Sequence, residues 1–451
     1  MNKIAWIFVA TLLVGCGVYK PYERPKVKTE GLYGQIETSD SISLADFKWE
    51  DVFTDPILQA LIHEGLNQNT DLKRAHLRVS EAEATLKSAR LAYLPSLNVA
   101  PQGSLNSFDN RNTVKTYNIP LTASWEVDIF HNITNAKRKA NAVYEQSKEY
   151  EQAVRTQLIA SISNLYYTLL MLDEQYRISQ QTAQKWSEGV RTMRALKQAG
   201  AANEAAVAQY EANQLAVEVS LHTLKHQINE VENNLSTLIG RTAQKVDRGS
   251  LLEQKLPQEL LVGIPVQILS NRPDVRASEY ALMSAYYATA SARSALYPRL
   301  TLSGTVGWTN NSGRGIVNPG KIMLSAAASL LQPIFNAGVN RARVKITKAQ
   351  QEQALLSFEQ TLLNAGAEVN NALSQCQAAR AKSDLRSQQI ESLERAVKKT
   401  EALMRHSSGT YLEVLTAQQA LLAARLQQTA DRLEEMQGVV VLYHALGGGR
   451  A

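Results

Sequence analysis

The sequence predicts a mainly α-helical chain with a membrane β component. A duplicated unit supplies long coiled-coil helical hairpins plus four transmembrane strands per chain. Three observations carry this reading: an internal repeat, two proline-free stretches with a heptad rhythm of apolar residues, and four short stretches of apolar/polar alternation.

The repeat is read directly. Ala89-Arg90-Leu91-Ala92-Tyr93-Leu94-Pro95-Ser96-Leu97 returns as Ala292-Arg293-Ser294-Ala295-Leu296-Tyr297-Pro298-Arg299-Leu300. Asp71 precedes Pro95 by the interval that separates Asp274 from Pro298. Ser124-Trp125-Glu126-Val127-Asp128-Ile129-Phe130 matches Ser329-Leu330-Leu331-Gln332-Pro333-Ile334-Phe335, and Gly200 with Glu204 matches Gly409 with Glu413. A self-similarity of this length marks a duplicated structural unit rather than a short solenoid module. The predicted layout is a leader over 1–15, an N-terminal segment over 16–54, a first repeat over 55–263 and a second over 264–451. The first repeat holds strands about 97–107 and 115–129 and a hairpin about 131–240. The second holds strands about 300–310 and 321–334 and a hairpin about 336–446.

The hairpins follow from proline's absence. None occurs between Pro120 and Pro257 or after Pro333, and both stretches are rich in good helix formers. Gly200 and Gly409 break them, in positions where a left-handed residue ends one helix and lets the chain return. The first arm, from about Asn132 to Gln198, would be on the order of 100 Å long at ~1.5 Å per residue. Val217, Leu221, Leu224, Ile228, Val231, Leu235 and Leu238 alternate at steps of four and three, the spacing of a coiled-coil seam. Leu412, Leu415, Leu422, Leu426, Leu433, Met436 and Val440 keep that rhythm, with Gln419 and Thr429 as polar interruptions. Leu355, Phe358, Leu362, Val369, Leu373 and Cys376 do the same.

The strands follow from a period of two. Leu97, Val99, Gly103 and Leu105 alternate with polar residues. So do Tyr117, Ile119, Leu121, Ala123, Trp125, Val127 and Ile129; Leu302, Gly304, Val306 and Trp308; and, less cleanly, Ile322, Leu324, Ala326, Ala328 and Leu330. Stretches of about ten residues, apolar on one face and polar on the other, suit a barrel with lipid outside and water inside. Tyr117, Trp125 and Trp308 are placed at the membrane interfaces. Pro120 should cause a local irregularity. Four strands cannot close such a barrel, for which about eight is the minimum, so copies must share one. A dimer and a trimer both satisfy that arithmetic.

Lys3 followed by the apolar run Ile4 to Val14 reads as a cleaved leader, too short to span a membrane. Its end, Leu13-Val14-Gly15-Cys16, resembles the bacterial lipobox, which makes Cys16 the lipidated first residue of the mature chain. Gly17 in place of an aspartate favours the outer membrane. With Cys16 lipidated, Cys376 has no partner for an intramolecular disulfide. The charge, +6 from 48 Lys and Arg against 42 Asp and Glu, is spread out. No basic run interleaves with aromatics, which argues against nucleic acid.

The order of lipobox, Ala-Arg-x-Ala-x-x-Pro-x-Leu, paired strands, long helix and repeat resembles the outer-membrane efflux factors, the TolC-like family, in its lipoprotein branch. Ser408-Gly409-Thr410-Tyr411-Leu412-Glu413-Val414-Leu415-Thr416-Ala417-Gln418, the ending Leu442-Tyr443-His444-Ala445-Leu446-Gly447-Gly448-Gly449 and Asn271-Arg272-Pro273-Asp274-Val275-Arg276 strengthen it. The resemblance implies a homotrimer with a shared twelve-stranded barrel and an α-helical periplasmic tube. It implies the exit duct of a tripartite efflux pump, partnered by a periplasmic adaptor and an inner-membrane transporter. It places the adaptor contacts at the tips, Gly200, Ala201, Ala202, Ser408, Gly409 and Thr410. It places the periplasmic gate at Leu412, Glu413 and Thr416. Where the family often carries aspartate, this chain has Thr416, so closure is expected to rest on Leu412 packing more than on a charged ring.

The competing readings are weaker. His222, His226 and Glu230 have metal-binding spacing, but a solvated helix face explains them and no His-Glu-x-x-His occurs. No nucleophile elbow or phosphate loop appears, so neither enzyme nor cofactor is expected. A soluble sandwich or an envelope scaffold would leave the strands or their polar face unexplained. An exit duct for ATP-driven protein secretion would share the fold and differ only in its inner-membrane partner.

Overall fold

Equal element lengths show the duplication at once. The structure is a computed structural model that describes residues 20–27, 31–32, 43–108, 111–257, 262, 268–309, 321–406 and 410–450. In chain order come α1 (Pro56–Gln68), α2 (Thr70–Leu91), β1 (Ser96–Val99), β2 (Gln102–Phe108), β3 (Arg111–Val127), α3 (Asn132–Gln198), α4 (Glu204–Leu238), α5 (Pro273–Ser294), β4 (Arg299–Thr309), β5 (Lys321–Leu331), α6 (Val339–Arg405) and α7 (Tyr411–Ala445). α2 and α5 both have 22 residues, α3 and α6 both 67, and α4 and α7 both 35. Two compact units form, and each draws on both repeats.

One unit holds residues up to Val27, Leu77–Glu149 and Arg276–Gln360. Its centre is an antiparallel sheet in the order β1-β3-β4-β5, with β2 also paired to β3. The ladder runs without a slip from Asn118↔Thr309 to Val127↔Leu300, and from Arg299↔Leu331 to Thr309↔Lys321. The predicted strand 97–107 is corrected here. It is two strands, β1 and β2, separated at Ala100 and Pro101, and both keep one register against β3. Pro120 does not interrupt β3. Its missing N–H is absorbed on the neighbours instead: the edge strand breaks opposite it, and Gly307 faces it from β4. A Cβ on Gly307 would collide with the Ile119 carbonyl oxygen and stand 2.8 Å from Pro120 Cα. β3 also begins earlier than the expected 115, because Arg111–Val114 pair back onto β2 across an irregularity near Asn106. β5 ends at Leu331 rather than 334, since Pro333 has no N–H for the ladder.

Below the sheet, α5 is packed from two sides. Ser294 Oγ donates to Phe130 O at 2.7 Å, and Arg138 lies over the Tyr287 ring at 5.7 Å. On its other side Thr289 Oγ1 donates to Thr347 O at 3.0 Å, and Asn340 Nδ2 donates to Ala295 O at 3.2 Å. The segment from Lys20 is strapped to the same helix. Tyr286 donates to Lys20 O at 2.6 Å, and Arg24 makes a two-pronged pair with Glu279 at 2.6 Å.

The other unit holds Lys28–His76, Tyr150–Val275 and Thr361–Ala451. Trp49, Phe53, Leu58, Ile62, Ile159, Ile162, Tyr166, Leu169 and Tyr443 are nearly inaccessible to solvent and form its core. Asp55 caps α1 by accepting from Ile57 N at 2.8 Å, and it also accepts from Tyr166 Oη and Gln254 Nε2, both at 2.7 Å. Burial alone would raise its pKa, but these donors hold it below the usual carboxylate value. Arg248 pairs with Asp173 and Glu232. Arg272, the arginine of the Asn-Arg-Pro-Asp motif, is 4 % exposed. It donates to Ala445 O at 2.8 Å, to Asp274 at 2.6 Å and to Glu368 at 2.7 Å, clasping the end of α7.

The seam on α4 is the buried side of that helix. Its seven apolar positions are buried or half-buried, whereas His222, His226 and Glu230 are exposed. On α7 the buried seam starts at Leu415 rather than Leu412, which is 51 % exposed. Cys376 packs in the α6 seam, where burial pushes its thiol up to about 11.

Candidate functional site

The sheet sorts its side chains by register. On one face stand the rows Ile119–Trp308–Ile322, Leu121–Val306–Leu324, Ala123–Gly304–Ala326, Trp125–Leu302–Ala328 and Val127–Leu300–Leu330. On the other stand Asn118–Thr309–Lys321, Pro120–Gly307–Met323, Thr122–Thr305–Ser325, Ser124–Ser303–Ala327 and Glu126–Thr301–Ser329. The Thr122 and Thr305 hydroxyls lie 3.3 Å apart, so even the hydrogen bonding of this face is side chain to side chain. One wall of lipid-compatible residues thus backs a mostly polar wall rich in small hydroxyls and crossed by the Pro120–Gly307–Met323 row, which suits an aqueous lumen.

Trp308 and Trp125 lie near opposite ends of the apolar face. Six β3 positions separate Ile119, the partner of Trp308, from Trp125, or about 20 Å at ~3.4 Å per residue. That approaches the ~25 Å apolar band of outer-membrane barrels. Trp125 Nε1 donates to Tyr93 O at 2.9 Å, which anchors the ring at the helix-side end. Tyr117 shares the face of Ile119, towards the opposite end. The loop 310–320 lies outside the described residues.

The first hairpin tip is built by short-range bonds. Gly200 takes φ +73°, and Ala201 N donates to Leu196 O at 2.8 Å, closing α3. Asn203 accepts from Ala206 N at 2.9 Å to start α4, and Lys197 pairs with Glu204 across the turn. Ala201 is exposed and Ala202 half-buried against an apolar cluster. That cluster joins Trp186, Val190, Met193, Val207, Tyr210 and Leu415, with Trp186 and Tyr210 edge to face at 5.3 Å.

At the second tip Ser408 and Gly409 lie outside the described residues. Thr410 N donates to Glu413 Oε2 at 3.4 Å, so Glu413 serves the helix start. Leu412, Glu413 and Thr416 are all exposed within the first two turns of α7, while Val414 and Leu415 between them are buried. Thr416 Oγ1 donates to Leu412 O at 2.9 Å, so its hydroxyl is engaged with its own helix. The three gate candidates are therefore brought together on one surface.

Residues that sequence reasoning passed over connect the helices behind them. Gln419, read only as a polar interruption, donates to Asn213 Oδ1 of α4 at 2.5 Å. Gln418 donates to Glu401 Oε1 at 2.9 Å. Arg386–Asp431 at 2.7 Å, Lys382–Glu434 at 2.9 Å and Arg425–Glu394 at 2.6 Å tie α6 to α7. Charges flanking a seam were the available signal, but their partners lie far away in sequence.

The family model described as Outer membrane efflux protein matches twice, over residues 61–241 and 264–448. The chain belongs to that family. It is similar to the cation efflux system protein CusC of Escherichia coli, 28 % identical over 459 residues and covering 99 % of both chains. It is also similar to the pyoverdine export outer membrane protein OpmQ of Pseudomonas aeruginosa, 30 % identical over 471 residues, covering all of this chain and 97 % of that one. Among solved structures, the open state of the MtrE outer membrane channel of Neisseria gonorrhoeae superposes with a TM-score of 0.88 at 28 % identity, covering 96 % of this chain and 98 % of that one. The family places this chain in the outer membrane as an efflux component, and the two-faced sheet is the part of the fold that meets lipid.

Proposed function

We propose that this protein is the exit duct of a tripartite efflux pump: a passive channel that carries small molecules or ions from an energised pump to the exterior. The observation that carries the proposal is the four-position sheet with an apolar face, a hydroxyl-lined face and two open edges. Open edges are not tolerated in hydrocarbon, so the sheet must continue into other copies. A homotrimer continues it into twelve strands, one barrel over a helical tube. No energy-coupling motif is needed in such a part, because the inner-membrane transporter supplies the work.

In this reading Cys16 carries the lipid. Four peptide steps separate it from Lys20, a span of at most about 14 Å, and Lys20 is held on α5. The tips around Gly200, Ala201, Ala202, Ser408, Gly409 and Thr410 receive the periplasmic adaptor. Leu412, Glu413 and Thr416 form the periplasmic constriction, with Leu412 as its apolar plug. Tyr117, Trp125 and Trp308 sit at the membrane interfaces, and the repeats 55–263 and 264–451 alternate around the tube. The cargo class is that of the pump; the relatives named above are a cation efflux protein and a pyoverdine export protein.

The test is photo-crosslinking in living cells from residues replacing Ala202 and Thr410. The expected result is capture of an adaptor tied to a proton-driven pump. An adaptor of an ATP-driven secretion system would move the reading to protein export. Capture of no adaptor by a trimer correctly placed in the outer membrane would overturn the pump assignment.

A further inference from the structure

The charge that reads as spread along the sequence is gathered in the fold. Residues 84–144 and 280–351 hold the sheet and the helix ends beside it. They carry fifteen Lys and Arg against three Asp and Glu, and no acid at all stands between Glu279 and Glu352. The rest of the chain is acidic on balance. Most of these cations lie at the helix-side end of the sheet. Lys87 and Arg90 end α2, Lys137 and Lys139 stand in the first three turns of α3, and Arg341 and Arg343 in the first two of α6; all six are exposed.

One of these cations is built into the lipid side. Trp125 stands on the apolar face of the sheet, and its Nε1 donates to Tyr93 O at 2.9 Å, which holds Tyr93 on that side. Lys137 Nζ lies over the Tyr93 ring, 5.5 Å from its centroid. The far end of the ring is fixed as well. Thr134 Oγ1 gives its one proton to Asp128 Oδ2 at 2.6 Å, so the Tyr93 hydroxyl, 2.8 Å away, is the donor to Thr134. Asp128 is engaged at the start of α3, where it also accepts from Ile133 N and Thr134 N at 2.8 Å each. Among the described residues Lys137 has a ring contact and no ion pair. An exposed ammonium without a counter-charge therefore sits at the helix-side end of the apolar face.

We propose that Trp125, Tyr93 and Lys137 hold the headgroup of an anionic phospholipid, in the leaflet on the helix side, with its acyl chains over the apolar rows of the sheet. The lysine supplies the charge from a stem laid along apolar surface. The two rings sit at the boundary between headgroup and chains, where amphipathic aromatics are favoured. The surrounding cations attract anionic lipid to the same level. A zwitterionic headgroup brings its own ammonium into that field and gains less. The second repeat supplies an internal control. The counterparts of Trp125, Tyr93 and Lys137 are Leu330, Leu296 and Val344, so the indole, the phenol and the cation are all missing there. The duplicated scaffold is built without the triad in that half, which sets it apart from a structural brace and gives one site per chain. The site needs only a lipid-facing sheet and is independent of which pump the protein serves.

The test is native mass spectrometry of the full-length protein, sprayed from detergent after incubation with phosphatidylglycerol or with phosphatidylethanolamine at equal concentration. The expected result is severalfold greater retention of phosphatidylglycerol, levelling off at one lipid per chain. Lys137→Ala should lower that retention severalfold and Lys137→Arg should preserve it. Lys321→Ala, on the polar face at the opposite end of the sheet, should leave it unchanged. The oligomer mass in the same spectra shows that each variant has assembled. Equal retention of the two lipids by the wild type would overturn the anionic site. Retention by Lys137→Ala equal to that of the wild type would overturn the part played by the triad. Displacement of the lipid by glycerol 1-phosphate, which has the phosphate and no chains, would assign the site to a soluble anion instead.

Discussion

α2 and α5 are the same helix written twice, with 22 residues each and the same Ala-Arg motif at the end, yet they live in different surroundings. α5 is buried or half-buried from Arg272 through Ala295, because α3 covers one side and α6 the other. α2 exposes most of its residues beyond Leu77 and is covered on one side only. Composition follows surroundings. α5 carries Ala290 and Ala292 where α2 carries Lys87 and Ala89, and the acidic positions of α2 at Glu81 and Glu83 correspond to Ser284 and Tyr286. A duplicated unit in one chain therefore reports which of its surfaces are finished inside the chain and which await another copy.

The sharpest break in that comparison is to write one repeat into the other. Gly307→Ser installs the residue of the equivalent position, Ser104, opposite Pro120. The new Cβ meets backbone on the neighbouring strand, which cannot yield as a side chain would. A cost of about 3 kcal/mol is expected, with the heat-resistant oligomer band lost from outer membranes. The converse change, Ser104→Gly, removes the Cβ and a hydroxyl 2.6 Å from Thr116 Oγ1, at a cost of about 1 kcal/mol for a glycine within a strand, and should leave the band in place.

A second break acts on the helices themselves. Ala290 is fully buried in α5, so Ala290→Leu should cost about 1–3 kcal/mol by overpacking. Lys87→Leu at the matching position of α2 should leave the fold of the chain unchanged. Denaturant unfolding followed by circular dichroism separates the two, and equal effects would mean that α2 is as covered as α5.

How much of this was legible depended on the range of the interaction. The repeat, the hairpins and the two sheet faces rest on periodicity, which a local reading recovers: the seven seam positions from Val217 to Leu238 lie on the covered side of α4. The consequence of Pro120 was harder to read. A proline's missing donor is felt by the neighbouring strand, so the break fell at Ala100 and Pro101 and the accommodation at Gly307. Leu412 fits the heptad rhythm, yet only the fold shows that the seam is exposed at its first position. Gln419 with Asn213, and Arg272 with Ala445 and Glu368, pair residues from distant segments, so no spacing rule could match them.

The two tips extend the comparison at smaller scale. Glu204 is tied to Lys197 in the first, whereas Glu413 in the second accepts from its own helix start and Leu412 beside it is exposed. If closure rests on Leu412, then Leu412→Ser should raise single-channel conductance severalfold in planar bilayers. Thr416→Asp should change the response to divalent cations with less effect on the closed conductance. A Leu412→Ser channel that conducts like wild type would assign the gate elsewhere.

The smallest expected effect concerns the clasp at the end of α7. His444 is held below its ordinary value of 6.5, first by burial and then by the Arg272 charge, with Glu368 and Asp274 opposing. The folded state therefore keeps His444 neutral where the unfolded chain binds a proton. By linkage, its contribution to stability is fully present above about pH 6.5 and is lost as pH falls below that value. Arg272 stays charged and Asp274 ionised throughout this window, since each is held in its charged form by the other. The melting temperature of the wild type should thus decline from pH 7 to pH 5.5, and His444→Gln should flatten part of that slope while conductance at pH 7 stays the same. A variant whose slope matches wild type would show that protonation at the clasp is not what acid acts on, and would leave the Arg272 contacts as a purely structural brace.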